Sequence, residues 1–180
     1  MIASIHTICR ERFSDATFCA SELAKTRERL DREGVTWEQG RPPRAEFKKA
    51  AGGFYDIEYI LAFHFLTRGL AHGVAPEGHV LRQIAALESA GEAGSGLTTA
   101  TAGALRNGAL LFRQVDHAIR MVTGHAAKGE PEPALVERVR PLLERWGVNL
   151  RGGLTEELAA TRKQMRLLYE QTVVARKSPV

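Results

Sequence analysis

Two adjacent glycines, Gly52 and Gly53, stand directly before the most apolar helical stretch of the chain, F-Y-D-I-E-Y-I-L-A-F-H-F-L-T-R from Phe54 to Arg68. A glycine pair permits positive φ or a close backbone approach, so the chain turns sharply there and a helix starts near Phe54 to Asp56. Ile57, Ile60, Leu61 and Phe65 recur at core spacing, and Phe54, Tyr59, Phe63 and Leu66 extend the apolar surface almost all round. A helix of that kind has to be central and largely buried, so the remaining elements must surround it. Asp56 and Glu58 fall in its first turn, where free N–H groups and the positive end of the helix dipole favour carboxylates.

The remaining segments read as helices punctuated by glycine and proline. Ile2, Ile5, Cys9 and Phe13 form one helical stripe. Ser14 and Asp15 open a second helix with Ala16, Ala20, Leu23 and Leu30 inward, charges opposite, and Gly34 at its end. Helices over 13–33 and 54–72 thus flank a Gly/Pro-rich loop. Gly40, Arg41, Pro42, Pro43 and Arg44 exclude continuous helix, leaving a loop or an extended segment. A shorter helix, Val80 to Ala90, stops at Gly91, and 91–96 is a flexible connector without the G-x-x-x-x-G-K-[ST] pattern of a phosphate loop.

Long helices follow over 98–124 and 155–174, with a piece from Ala134 to Trp146 between them. Pro141 predicts two short helices or a kink in that piece. Asp116 lies on the apolar stripe of Leu105, Ala109, Phe112 and Ile119. A carboxylate there either meets an Arg or Lys from another helix or faces a cleft. In the last helix Thr155 is the expected cap. Leu154, Leu158, Thr161, Met165, Leu168 and Thr172 are the expected inner face, and Arg162, Lys163 and Arg166 a solvated one, open to an acidic partner. No segment alternates with period two, so no sheet is expected. The fold class is all-α: a bundle of about six helices forming one domain over 1–180.

Charge and composition narrow the function. The net charge of +4 is spread through mixed runs such as R-E-R-L-D-R-E, unlike the one-signed patches of nucleic-acid surfaces, so no nucleic-acid partner is expected. No apolar run approaches the ~20 residues of a bilayer span, and no secretory segment follows Met1. With only Cys9 and Cys19, the expectation is a reduced, cytoplasmic setting. His64 reads as a core histidine, because His72 and His79 offer no compact metal-ligand spacing.

The run F-K-K-A-A-G-G-F-Y-D-I-E-Y-I-L resembles the motif of the glutamine synthetase adenylyltransferase (glutamate-ammonia-ligase adenylyltransferase) family, at the opening of the helical domain that follows a nucleotidyltransferase domain. The likeness continues through F-S-D-A-T-F-C-A-S-E-L-A-K-T-R-E-R-L upstream. Downstream, A-L-L-F-R-Q-V-D-H-A-I-R-M-V-T-G and L-T-E-E-L-A-A-T-R-K-Q-M-R-L-L-Y-E are also similar. Lys48, Gly52, Gly53, Asp56 and Glu58 match that pattern. Ala50, Ala62, Asp116 and Ala118 depart from Gly, Gln, Glu and Arg, respectively.

The family adds AMP from ATP to a tyrosine of glutamine synthetase, and removes it, under control of the PII protein and glutamine. The resemblance therefore implies ATP and Mg²⁺ for the intact enzyme and none held by this chain, which lacks the Asp-x-Asp sheet motif and is not expected to transfer AMP alone. Lys48, Gly52, Gly53, Asp56, Glu58 and Asp116 become candidates for lining a nucleotide cleft or domain interface. Implied partners are a nucleotidyltransferase domain of the same or a neighbouring chain, glutamine synthetase, and the PII protein as a further possibility. The alternative is a stand-alone, non-catalytic module that binds a regulator or glutamine synthetase. The related PII uridylyltransferases fit less well, since their motif continues Asp-Leu-His.

Overall fold

The computed structural model describes residues 2–33, 35–36, 44–45, 48–91, 96–126, 129, 131–150 and 152–177. It is all-helical in architecture. Seven α-helices occur among the described residues: α1 (Ile2–Phe13), α2 (Ala16–Glu33), α3 (Phe54–His64), α4 (Val80–Gly91), α5 (Thr99–Thr123), α6 (Pro133–Arg145) and α7 (Leu154–Thr172). Between α2 and α3, Val35–Thr36 pairs antiparallel with Arg44–Ala45, Val35 opposite Ala45, in a two-residue ribbon too short to constitute a layer. Gly34 and 37–43, with Gly40, Arg41, Pro42 and Pro43, lie outside the described residues, as do 92–95 of the glycine-rich connector.

The apolar helix after the glycine pair is the hub. α3 packs against α2, α4, α5 and α7, and Ile57, Ile60, Leu61 and Phe63 are buried in a core shared with Ile84, Leu87, Leu105, Phe112, Val115, Met165 and Tyr169. Each fully buried aliphatic or aromatic side chain of this kind contributes roughly 1.5–3 kcal/mol. α5 starts with Thr98 Oγ1 accepting from the Thr101 N–H and ends at Gly124 in the left-handed region.

Several boundaries differ from the sequence expectation, each for a local reason. The helix expected over 54–72 is α-helical only to His64 and widens to a π turn over Phe65–Gly69, closed by the Leu70 N–H on the Phe65 carbonyl. The extra residue sets Gly69 against Leu87 and Val74, where a Cβ would lie 3.2 Å from Leu87 Cδ2. α6 runs through Pro141 as one helix: Pro141 and Glu137 are both exposed, so the carbonyl that lacks a partner faces water. α7 starts from Gly153, whose φ is +98°, without a side-chain cap; Thr155 is exposed inside the first turn. Its buried face is Leu154, Leu158, Arg162, Met165, Tyr169 and Thr172, which places Arg162 inside rather than in solvent and leaves Thr161 and Leu168 half-buried.

His64 sits at the end of α3, edge-on to the Phe63 ring at 5.7 Å, with its Nδ1 buried and lacking a hydrogen-bond partner among the described residues. Burial, helped by the nearby charges of Arg68 and Arg176, pulls its pKa down from 6.5 to about 4. Below pH 6.5 the unfolded chain takes up a proton that the folded chain refuses until about pH 4. Stability is therefore full above 6.5 and falls as the pH drops between those values, by about 2 kcal/mol from pH 7 to pH 5. Urea unfolding at the two pH values is expected to show this loss, and His64→Leu is expected to remove most of it.

Candidate functional site

The turn that feeds α3 is built around one buried carboxylate. Asp56 is wholly inaccessible. Its Oδ1 accepts from Arg27 Nε at 2.5 Å and its Oδ2 from the Gly52 N–H at 2.8 Å. Arg27, equally inaccessible, donates through Nη2 to the Ala50 carbonyl at 3.0 Å and pairs through Nη1 with Asp31 at 2.9 Å. Arg166 of α7 adds a third contact, 3.7 Å from Asp56 Oδ2 and 3.4 Å from Asp31 Oδ2, while its Nε holds Glu170 at 2.9 Å. Burial pushes the Asp56 carboxyl up from its ordinary range, and Arg27, the Gly52 N–H and Arg166 pull against it. One guanidinium thus ties α2 to the turn and, through Asp56, to the start of α3.

Both glycines are required by geometry. Gly52 has φ +76°, and a Cβ there would fall 2.3 Å from the Arg162 carbonyl oxygen of α7. A Cβ on Gly53 would fall 2.6 Å from the Lys48 carbonyl oxygen. The turn is closed by the Gly53 N–H on the Ala50 carbonyl (2.8 Å) and the Tyr55 N–H on the Lys48 carbonyl (3.2 Å).

Held in this way, the turn presents Lys48 across to α5. Lys48 Nζ lies 3.1 Å from Asp116 Oδ2, which also accepts from Arg120 Nε at 3.0 Å. Burial works to raise the Asp116 carboxyl, but hydrogen bonds from Arg120 and Lys48 outweigh it and hold the group below its usual range. Asp116 lines a small cavity of about 130 Å³ with Lys48, Phe54, Phe112 and Arg113, as the cleft alternative expected; its cations come from the turn and from α5 itself rather than from another helix. Arg113 lies over the Phe54 ring, 5.6 Å from its centre, and its Nη1 is 2.7 Å from His79 Nε2. A guanidinium only donates, so this contact places the imidazole proton on Nδ1.

Of the residues singled out from sequence, Lys48 and Asp116 meet at the cavity, and Gly52, Gly53 and Asp56 form the turn beneath it. Asp56 has no exposed atom and acts by fixing the turn. Glu58 lies one helical turn after Phe54, exposed at the mouth of a second pocket; burial raises its carboxyl, opposed by Arg113 and Lys48.

Arg27, Arg113 and His79 were not anticipated, whereas Arg166, expected on a solvated face open to an acidic partner, is half-buried and meets Asp31, Asp56 and Glu170. Arg27 did leave a signal, because it continues the stripe Ala16, Ala20, Leu23, Leu30 at helical spacing. Two cations, Lys48 and Arg113, line the cavity with its single carboxylate, Asp116, which Arg120 also binds, so the lip favours an anionic ligand. Among the described residues, no three His, Cys, Asp or Glu side chains are grouped to hold a metal ion, and no helix is long and apolar enough to cross a membrane.

No protein-family model matches this chain, and comparison with curated proteins finds no similar sequence.

Proposed function

We propose that this chain is the helical companion of a nucleotidyltransferase domain in a bifunctional glutamine synthetase adenylyltransferase and adenylyl-removing enzyme. In this reading it lines one side of the nucleotidyl-transfer cleft and serves nitrogen regulation in the cytoplasm. The motif resemblance carries the family part of the reading. The observation that supports the site is the Lys48 lip: a glycine turn held from below by Arg27 and Asp56 sets one ammonium group, shared with Asp116, at the edge of a cavity with excess positive charge.

The chemistry assigned to the lip is electrostatic. When the triphosphate of ATP arrives, Lys48 exchanges part of its pairing with Asp116 for phosphate oxygens, and Arg113 and Arg120 offset part of the added negative charge. Asp56 and Asp116 do not suit Mg²⁺, since each is already bound to Arg or Lys. The ions belong with the carboxylates of the catalytic sheet domain.

The test uses the enzyme in which this domain is joined to its catalytic partner. Lys48→Met is expected to lower the rate of glutamine synthetase adenylylation about tenfold or more while leaving thermal unfolding unchanged, because the residue is partly exposed and its ion pair contributes under ~1 kcal/mol to stability. Asp116→Asn, which frees Lys48 toward phosphate, is expected to lower the KM for ATP. Unaltered kinetics in both variants would remove the cleft-lining role and leave a non-catalytic binding module, checked by whether the isolated chain retains glutamine synthetase or the PII protein.

A further inference from the structure

A second pocket opens between α3 and α4, one helical turn further along α3 than the Lys48 lip. Its volume is about 200 Å³, enough for one flexible side chain or a ligand of similar size. Leu61, Phe65 and Val80 supply apolar walls, and Glu58 and Glu77 stand at the mouth. Both carboxylates are exposed, and neither makes an ion pair within 4 Å with a described residue. Burial raises the Glu58 carboxyl above its usual range, and Arg113 and Lys48 oppose that shift.

An independent feature lies in the wall. Gln83 is 9% exposed and lines the pocket, and its Oε1 accepts from the Glu77 backbone N–H at 2.8 Å. That bond fixes the orientation of the amide, because only the oxygen can face an N–H. The amide nitrogen therefore points the other way, and it is buried with no acceptor among the described residues. A buried donor left unmatched costs about 1–3 kcal/mol, a deficit that a bound acceptor relieves.

We propose that this pocket binds a primary alkylammonium group whose chain also carries a hydrogen-bond acceptor: the stem lies on Leu61, Phe65 and Val80, the charge sits between Glu58 and Glu77, and the acceptor meets the Gln83 amide. Among the described residues neither carboxylate pairs with a Lys or Arg, so the incoming cation displaces no ion pair made by them. The chemistry suits a free amine or a lysine side chain of a partner protein. It does not depend on the adenylyltransferase reading.

The experiment follows backbone amide shifts of the ¹⁵N-labelled full chain during titration with 5-aminopentanamide, pentylammonium and pentanamide. Saturable shifts confined to the 58–65 and 77–83 segments are expected with 5-aminopentanamide. Binding is expected to be at least fivefold weaker for pentylammonium, which lacks the acceptor, and at least tenfold weaker for pentanamide, which lacks the charge. Glu77→Gln and Gln83→Leu are each expected to weaken 5-aminopentanamide at least fivefold, with the native amide pattern elsewhere preserved. Absence of saturable shifts, equal binding of pentanamide, or no effect of Glu77→Gln would each overturn the proposal. Nα-acetyllysine amide separates the sources: binding as tight as 5-aminopentanamide assigns the pocket to a partner's lysine, and binding tenfold weaker assigns it to a free amine.

Discussion

Arg27→Met is expected to destabilise this protein by about 3–5 kcal/mol, because it leaves the buried Asp56 carboxylate without its principal counter-charge. Against a total stability of roughly 5–15 kcal/mol for a domain, that is enough to populate the unfolded chain at room temperature. The loss has two parts. Among the described residues Asp56 keeps only the Gly52 N–H and the distant Arg166 guanidinium, and the Ala50 carbonyl loses the donor that anchored the turn to α2. The double variant Arg27→Met, Asp56→Asn is expected to recover at least about 1 kcal/mol of the single-variant loss, since an amide can be buried without a counter-ion. Urea unfolding of the native chain, the single variant and the double variant measures both quantities. A loss below about 1 kcal/mol for Arg27→Met would show that the buried pair does not hold the turn.

Gly52→Ala is the second large effect, with an expected loss above about 3 kcal/mol. Positive φ alone costs an L-residue roughly 1–2 kcal/mol. The rest comes from the new methyl group meeting the Arg162 carbonyl oxygen 2.3 Å away, and backbone has no rotamer with which to give way. Gly73 supplies the control: its φ is +73°, and a Cβ there meets nothing within 4 Å. Gly73→Ala should therefore cost only the conformational part, about 1–2 kcal/mol. Equal losses for the two variants, measured from urea midpoints at matched m-values, would mean that the approach of the turn to α7 does not constrain the fold.

How much of this was legible beforehand depended on the range over which each residue acts. Helical periodicity marked α2, α5 and α7 to within a few residues and the start of α3, because apolar side chains recur every three or four positions, a property of the local chain. The glycine pair marked the turn for the same reason. The faces failed where a charged residue sat on an inner stripe. Arg27 and Arg162 read as solvent-facing, since burial of a guanidinium is favourable only once its partners are in place, and Asp56 comes 29 residues after Arg27. Pro141 read as two short helices or a kink because its cost was counted from the local chain alone, and α6 runs through it as one helix with Pro141 and Glu137 both exposed. The π turn after His64 left no local signal; it follows from how Gly69 seats against Leu87.

By itself, then, the sequence determined that this chain is helical, that the segment after Gly53 is its hub, and that the turn before the hub requires glycine, because backbone freedom and the spacing of apolar side chains are local properties. Tertiary structure alone decided that Asp56 is locked beneath the turn by Arg27, that Lys48 reaches Asp116, and that Gln83 leaves a donor unmatched beside Glu58 and Glu77. Those outcomes depend on distances of a few ångströms between residues far apart in the chain, and burial alone makes such contacts strong.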